Sequence, residues 1–277
     1  MLKINWQRGA EDPVWTDLLK ILRGKFSDLG GEFQFELNFG QRVELNVQSQ
    51  SLTLKKAFFL DFAADKLIWR ISHSGRHSEA VARAVLGKEH HPVVFDATAG
   101  LGRDAFILQC CGAMVTMFER SPVIWALLFD ALQRASKDEK FISSLPNGLP
   151  KLAPFGSLID HAEMGRPDVV YYDPMFPQRQ KSALVKQEMR ILHAVVGGDE
   201  DADLMLPLLL KRAAKRVVVK RPAGSAPLAV NLLRPSGATD GKACRFDIYQ
   251  KSAVKPRASA RGYKAPNRGY SGFQCIV

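Results

Sequence analysis

The chain has 277 residues, 46% of them hydrophobic and 24% charged, which suits one large packed domain, or one domain with a small appendage, and excludes bulk disorder. Its formal net charge of +11 points to a polyanionic partner, of which nucleic acid is the commonest. Residues 251–277 hold Lys251, Lys255, Arg257, Arg261, Lys264 and Arg268 with no Asp or Glu, so more than half of that charge lies in a tail rich in Gly, Ser and Pro, for which disorder is expected.

In residues 13–29, Val14, Leu18, Ile21, Leu22, Phe26 and Leu29 recur at helical spacing behind the start signal Asp12-Pro13, and Gly30-Gly31 ends the run. Phe33, Phe35, Leu37 and Phe39, then Val43, Leu45 and Val47 beyond Gly40, alternate with polar residues and predict a β-hairpin. Further strand is expected over 52–62, which makes residues 1–70 a small strand-rich N-terminal part. A helix is predicted over 76–86. From Val93 the pattern alternates. Strands are expected over 93–97, 114–118, 151–155, 168–172, 216–220 and 245–249. Helices are expected over 104–111, 122–135, 182–195 and 203–214. That alternation predicts an α/β domain over 71–250, built on a doubly wound, mostly parallel sheet covered on both faces. Cys110, Cys111, Cys244 and Cys275 form no C-x-x-C pair and read as reduced thiols of a cytoplasmic protein, with no metal site. Met1–Pro13 lacks the apolar core of a signal peptide, and no run has the apolar length of a membrane span.

The strand VVFDA runs into TAGLGRDAF and a helix. Gly100 and Gly102 permit a tight turn and close approach of a ligand, and the helix start offers unpaired N–H groups. Glu119, at the end of the next strand, faces the same crevice in a doubly wound sheet and suits both ribose hydroxyls of an adenosine cofactor. The turn also fits the dinucleotide pattern G-x-G-x-x-A, so an NAD-dependent oxidoreductase is the alternative enzyme. Two features favour S-adenosylmethionine. Asp96 ends the strand before the turn, an acid suited to a cofactor with an ammonium and a sulfonium. Arg103 and Asp104 after the glycines match an amino-acid tail better than a pyrophosphate, which Asp104 would repel.

Strand DVVYY leads straight into Asp173-Pro174-Met175-Phe176-Pro177. This resembles the (Asp/Asn)-Pro-Pro-(Tyr/Phe) motif of methyltransferases acting on exocyclic base amines, with Met175 in place of the second proline. An aryl amine is a poor nucleophile because its lone pair is delocalised into the ring. A carboxylate, Asp173, and a backbone carbonyl, that of Pro174, accept its two N–H bonds, and Phe176 stacks on a flipped or single-stranded base. Catalysis of this kind is mainly orientation and electrostatics.

Together, DATAGLGRDAF, FERSPV, YYDPMFPQRQKSALVKQEMR, KRVVVKRP and RFDIY resemble the family of small-subunit ribosomal RNA guanine-N2 methyltransferase J, over roughly residues 43–250. The resemblance implies a monofunctional, S-adenosylmethionine-dependent enzyme that methylates the 2-amino group of one guanine in small-subunit (16S) ribosomal RNA. It further implies cofactor contacts at Arg103, Asp104, Glu119, Arg120, Gly156, Ser157 and Asp173. Arg179, Lys181, Lys186 and Arg190, beside the amine motif, are candidate contacts to RNA phosphates, as are Lys220 and Arg221 after strand RVVV. Asp199, Glu200, Asp201 and Asp203 read as a solvated loop and helix start rather than a metal site. A non-catalytic RNA-binding protein is the remaining alternative; Glu119 and Asp173 argue against it.

Overall fold

The computed structural model describes residues 2–7, 13–25, 34–49, 54, 56–73, 75–176 and 195–252. At the N-terminus, strand β1 (Leu2–Trp6), helix α1 (Pro13–Lys25) and strands β2 (Gln34–Phe39) and β3 (Val43–Gln48) build a three-stranded sheet in the order β1-β2-β3. The predicted hairpin is β2–β3, with Leu37 opposite Leu45 and every second residue buried. The sequence pattern does not anticipate β1. It reaches the sheet by way of α1 and pairs parallel to β2, with Leu2, Ile4 and Trp6 packed against the core. In place of a strand over 52–62, the described residues make a single bridge, Phe58 to Leu45. The chain leaves the sheet edge there to bury Leu60 and Phe62, and Phe62 packs beneath Gly102.

Two helices lead into the large sheet. Helix α2 (Asp65–His73) is not among the predicted elements, although Leu67, Ile68 and Ile71 share one face that packs on the core. Helix α3 (Ala80–Leu86) starts later than position 76, because Gly75 accepts backbone bonds from Ser78 and Glu79 and makes a turn of those residues. There follow β4 (Val93–Asp96), α4 (Arg103–Cys110), β5 (Met114–Met117), α5 (Pro122–Ala135), α6 (Glu139–Ser143) and β6 (Lys151–Leu152). The chain continues through β7 (Val169–Tyr172), α7 (Ala202–Arg212), β8 (Arg216–Pro222), β9 (Gly237–Asp240) and β10 (Cys244–Gln250). The helix expected over 182–195 lies, apart from Val195, outside the described residues.

The seven strands lie in the order β6-β5-β4-β7-β8-β10-β9. β6 to β8 run parallel, and β10 runs antiparallel to both of its neighbours. This is the doubly wound, mostly parallel sheet that the alternation predicts. VVYY of β7 is buried throughout, as a strand covered on both faces must be. One apolar cluster joins α3, α4 and α5 to the N-terminal sheet. Trp15 of α1 sits edge-on to Phe129 of α5 with ring centroids 5.0 Å apart. A second cluster holds α7 against the other face. The chain moves outward from β4 through β5 to β6 and then returns to lay β7 on the other side of β4. Strand order reverses at that point, where sheets of this kind have their ligand crevice, here beyond the carboxyl ends of β4 and β7.

Candidate active site

Strand β4 delivers Asp96 to the floor of this crevice, 1% exposed, where its carboxyl accepts the Thr98 N–H at 3.1 Å. Burial, reinforced by the neighbouring carboxylates Asp104, Asp173 and Glu119, pushes the Asp96 carboxyl up to about 8. The turn after it takes positive φ at Gly100 (53°) and Gly102 (73°), a backbone region that favours glycine. The two glycines serve different ends. A Cβ on Gly102 would press on Phe62 and Leu128, at 3.3 and 3.2 Å, so that glycine permits packing. A Cβ on Gly100 would meet only the Thr98 carbonyl, at 3.9 Å, so that position stays open to a ligand.

Glu119 comes to this turn from the end of β5. Its carboxylate accepts the N–H of Gly100 at 2.9 Å and of Ser121 at 2.7 Å. Burial raises it to about 7 against those two bonds. Gly156 bridges to Glu119, donating its N–H to the Glu119 carbonyl at 3.2 Å. Ser157 donates its N–H to Asp160 at 2.9 Å at the start of a short 3₁₀ turn. Four of the expected cofactor residues, Gly100, Glu119, Gly156 and Ser157, thus lie on adjoining loops. Arg120 instead points toward the acidic run, where it pairs with Asp199 and with Asp201, the latter at 2.7 Å. That run is therefore no solvated loop throughout. The Asp199 side chain is buried and accepts the Met175 N–H at 2.6 Å, and Asp203 accepts the Ala229 N–H at 2.7 Å. The pattern of four nearby acids gives no sign that two of them anchor backbone.

Asp173 follows β7 directly. Its N–H donates to the Thr98 hydroxyl at 2.7 Å, tying the Asp-Pro-Met-Phe loop to the glycine turn. Its carboxylate takes the Lys220 ammonium at 2.8 Å, and Lys220 also reaches Asp104 at 2.8 Å. Asp104 further accepts the Tyr171 hydroxyl at 2.8 Å and lies 3.7 Å from Arg70, which pairs with Glu79. Burial would raise Asp104, but Lys220, Tyr171 and Arg70 outweigh it and hold the carboxyl below the usual range. For Asp173, burial wins over Lys220 and leaves the carboxyl raised. Arg103 opens α4 and is exposed.

The two basic residues of β8 expected at RNA phosphates, Lys220 and Arg221, are both engaged inside the protein. Lys220 holds the two carboxylates just named. Arg221 is buried, lays its guanidinium 3.9 Å above the Phe176 ring, and donates to the Ala226 carbonyl at 2.6 Å. Sequence reasoning assigns them outward because a Lys-Arg pair at a strand end looks solvent-facing; alternation along β8 sends them to different partners. Arg179, Lys181, Lys186 and Arg190 lie outside the described residues. Thr98, Tyr171 and Arg70 escape sequence reasoning, since single residues of those types carry no spacing signal. Among the described residues, no group of three His, Cys, Asp or Glu is arranged to hold a metal ion, and no helix is long and apolar enough to cross a membrane.

This donor set fits a cationic adenosine cofactor. Asp96, Glu119, Asp104 and Asp173 crowd one crevice, and Lys220 contacts the last two. The raised Asp96 and Glu119 carboxyls ionise most readily beside a ligand that brings positive charge, and S-adenosylmethionine carries an ammonium and a sulfonium. Known proteins agree with this chemistry. Residues 28–251 match the family of SAM-dependent methyltransferases. A ribosomal RNA small subunit methyltransferase J from Tolumonas auensis is 42% identical over 87% of this chain and 96% of its own. One from Aeromonas salmonicida is 46% identical over 88% and 97%. Among solved structures, a SAM-dependent methyltransferase from Neisseria gonorrhoeae superposes with a TM-score of 0.63 at 29% identity, covering 91% of this chain and 97% of that one. The oxidoreductase reading of the glycine turn falls away, and the chain belongs to the ribosomal RNA small subunit methyltransferase J family of S-adenosylmethionine-dependent methyltransferases.

Proposed function

We propose that the protein methylates the exocyclic 2-amino group of a guanine in small-subunit (16S) ribosomal RNA, in the cytoplasm. The observation that carries this reading is the position of Asp173: a carboxylate at the carboxyl end of β7, fastened to the glycine turn through Thr98. S-adenosylmethionine, when bound, supplies a methyl group on a sulfonium, open to in-line displacement. Glu119 accepts from the ribose hydroxyls beside Gly100 and Gly156, and Asp96 faces the cationic portion. Arg103 at the start of α4 pairs with the cofactor's carboxylate, as its place after the glycines suggests. Asp173 and the Pro174 carbonyl accept the two N–H bonds of the amine, so that its lone pair points at the methyl carbon. The new N–C bond forms as the S–C bond breaks. Phe176 stacks on the base and admits it only when it is unstacked from its neighbours. Arg179, Lys181, Lys186 and Arg190 supply phosphate contacts from the segment that follows.

The names of the curated relatives support a ribosomal RNA substrate. Guanine is chosen over other amino bases by the resemblance of the motifs, because Asp-Pro-x-Phe serves any exocyclic amine. The test is transfer from labelled S-adenosylmethionine to unmodified small-subunit ribosomal RNA and to assembled subunits, followed by digestion to nucleosides. Labelled 2-methylguanosine is the expected product, absent with Asp173→Ala. A label on another nucleoside, or none on either substrate, refutes the reading.

A further inference from the structure

Lys220 stands between two carboxylates from different elements, where a contact to RNA phosphate does not account for it. From β8 its ammonium reaches Asp104 of α4 and Asp173 after β7, each at 2.8 Å. We propose that Lys220 is a positioning residue for methyl transfer: it holds Asp173 in the ionised, acceptor-only form and fixes its orientation toward the amine. This rests on the proposed role of Asp173.

The physical need is plain. A carboxylate accepts N–H bonds with both oxygens, whereas a protonated carboxyl donates one O–H and would compete with the amine's own hydrogens. The other groups around Asp173 work against ionisation. Asp104, Asp96 and Asp199 are acids from α4, β4 and the loop before α7, and Tyr171 is a buried phenol on β7. Cys244 on β10 contributes no cation, and Arg70 of α2 faces Asp104 and Glu79. Among the described residues, Lys220 is the cation in contact with Asp173. It is itself held: Asp104, locked by the Tyr171 hydroxyl, anchors the ammonium from the other side. A lysine serving RNA phosphate would instead keep its ammonium in solvent.

The experiment uses the full chain with its aspartates ¹³C-labelled at the carboxyl carbon. Asp173 is identified by the signal lost in Asp173→Asn, and its titration is followed by NMR in the wild type, Lys220→Met and Lys220→Arg. The expected result is a wild-type Asp173 that is ionised at pH 7. In Lys220→Met its midpoint rises by one pH unit or more, a tenfold change in proton affinity, and Lys220→Arg restores most of the shift. The acid limb of kcat for methyl transfer moves upward with it. The same Asp173 midpoint in Lys220→Met as in the wild type overturns the proposal, as does a wild-type Asp173 protonated at pH 7. The wild-type titration and Lys220→Arg decide the matter if Lys220→Met does not fold. A normal NMR shift with no methyl transfer by the wild type to ribosomal RNA leaves Lys220 in this role and refutes the substrate reading.

Discussion

Glu119 and Asp173 stand at the ends of neighbouring parts of one sheet and meet their surroundings in opposite ways. Glu119 is satisfied by two backbone N–H groups, at Gly100 and Ser121, which carry only partial charge; burial prevails and lifts it to about 7. Asp173 has a full ammonium at 2.8 Å, working against the same burial. The cofactor side of the crevice, which also contains Asp96, thus holds carboxyls raised by burial with no cation in contact among the described residues. The acceptor side carries its own. The difference matches what each must hold: a ligand that arrives with positive charge on one side, and a neutral amine on the other.

The sharpest way to break this division is Asp173→Ala. Loss of a preorganised group that acts on the reacting amine should lower kcat by about 10²–10³-fold, while the dissociation constant for S-adenosylmethionine, read by calorimetry, changes far less. Equal losses in both would mean that the two sides are not separable. Glu119→Gln tests the opposite half. A hydrogen bond to a charged group is worth about 1.5–3 kcal/mol, so cofactor affinity should weaken by about 10–100-fold with kcat at saturating cofactor largely kept. Unchanged affinity would remove Glu119 from the cofactor.

Much of this is legible in the chain, because parallel strands buried on both faces write themselves as apolar runs. VVFD, VVYY and RVVV are such runs, and the residues that end or follow them, Asp96, Asp173 and Lys220, inherit their places from the strand ends. Asp173 is readable since Asp-Pro follows its strand directly. The partners of these residues are not. Thr98, Tyr171 and Arg70 join the site through contacts between residues far apart in sequence, which no local pattern encodes. β1 escapes because it is a short strand whose parallel pairing depends on β2, many residues later. Lys220, Arg221 and Asp199 mislead for a single reason. Charged residues at strand ends and in loops usually face water, and these three are bound inward to specific partners.

A smaller effect sharpens the comparison through pH. The Asp96 carboxyl rises from the ordinary 3.8 to about 8, chiefly through burial. A folded-state value above the unfolded one favours folding while the group is protonated, and that contribution is lost as pH rises through about 8. Asp96→Asn cannot ionise. Its lead over the wild type in Tm should be larger at pH 9 than at pH 6, by about 3 °C or more. Saturating S-adenosylmethionine should shrink the gap, because the bound cation compensates the charge of Asp96. A gap that is the same at both pH values would show that Asp96 is ionised throughout.

The smallest expected effect concerns the far end of the acceptor side. Arg221 covers one face of Phe176, the ring proposed to stack on the base. Arg221 is buried but the Phe176 ring is only half-buried, so the cation over it contributes about 0.5–1 kcal/mol, the low end of the range. Arg221→Met should therefore raise KM for the RNA by about 2–5-fold, with kcat and the Asp173 titration little changed. Such a split would separate the two neighbours on β8, Lys220 acting on the charge of the acceptor and Arg221 on the placement of the base. A proportionate fall in kcat instead would mean that the Phe176 ring is fixed chiefly in the transition state, so that Arg221 acts with Lys220 on one step.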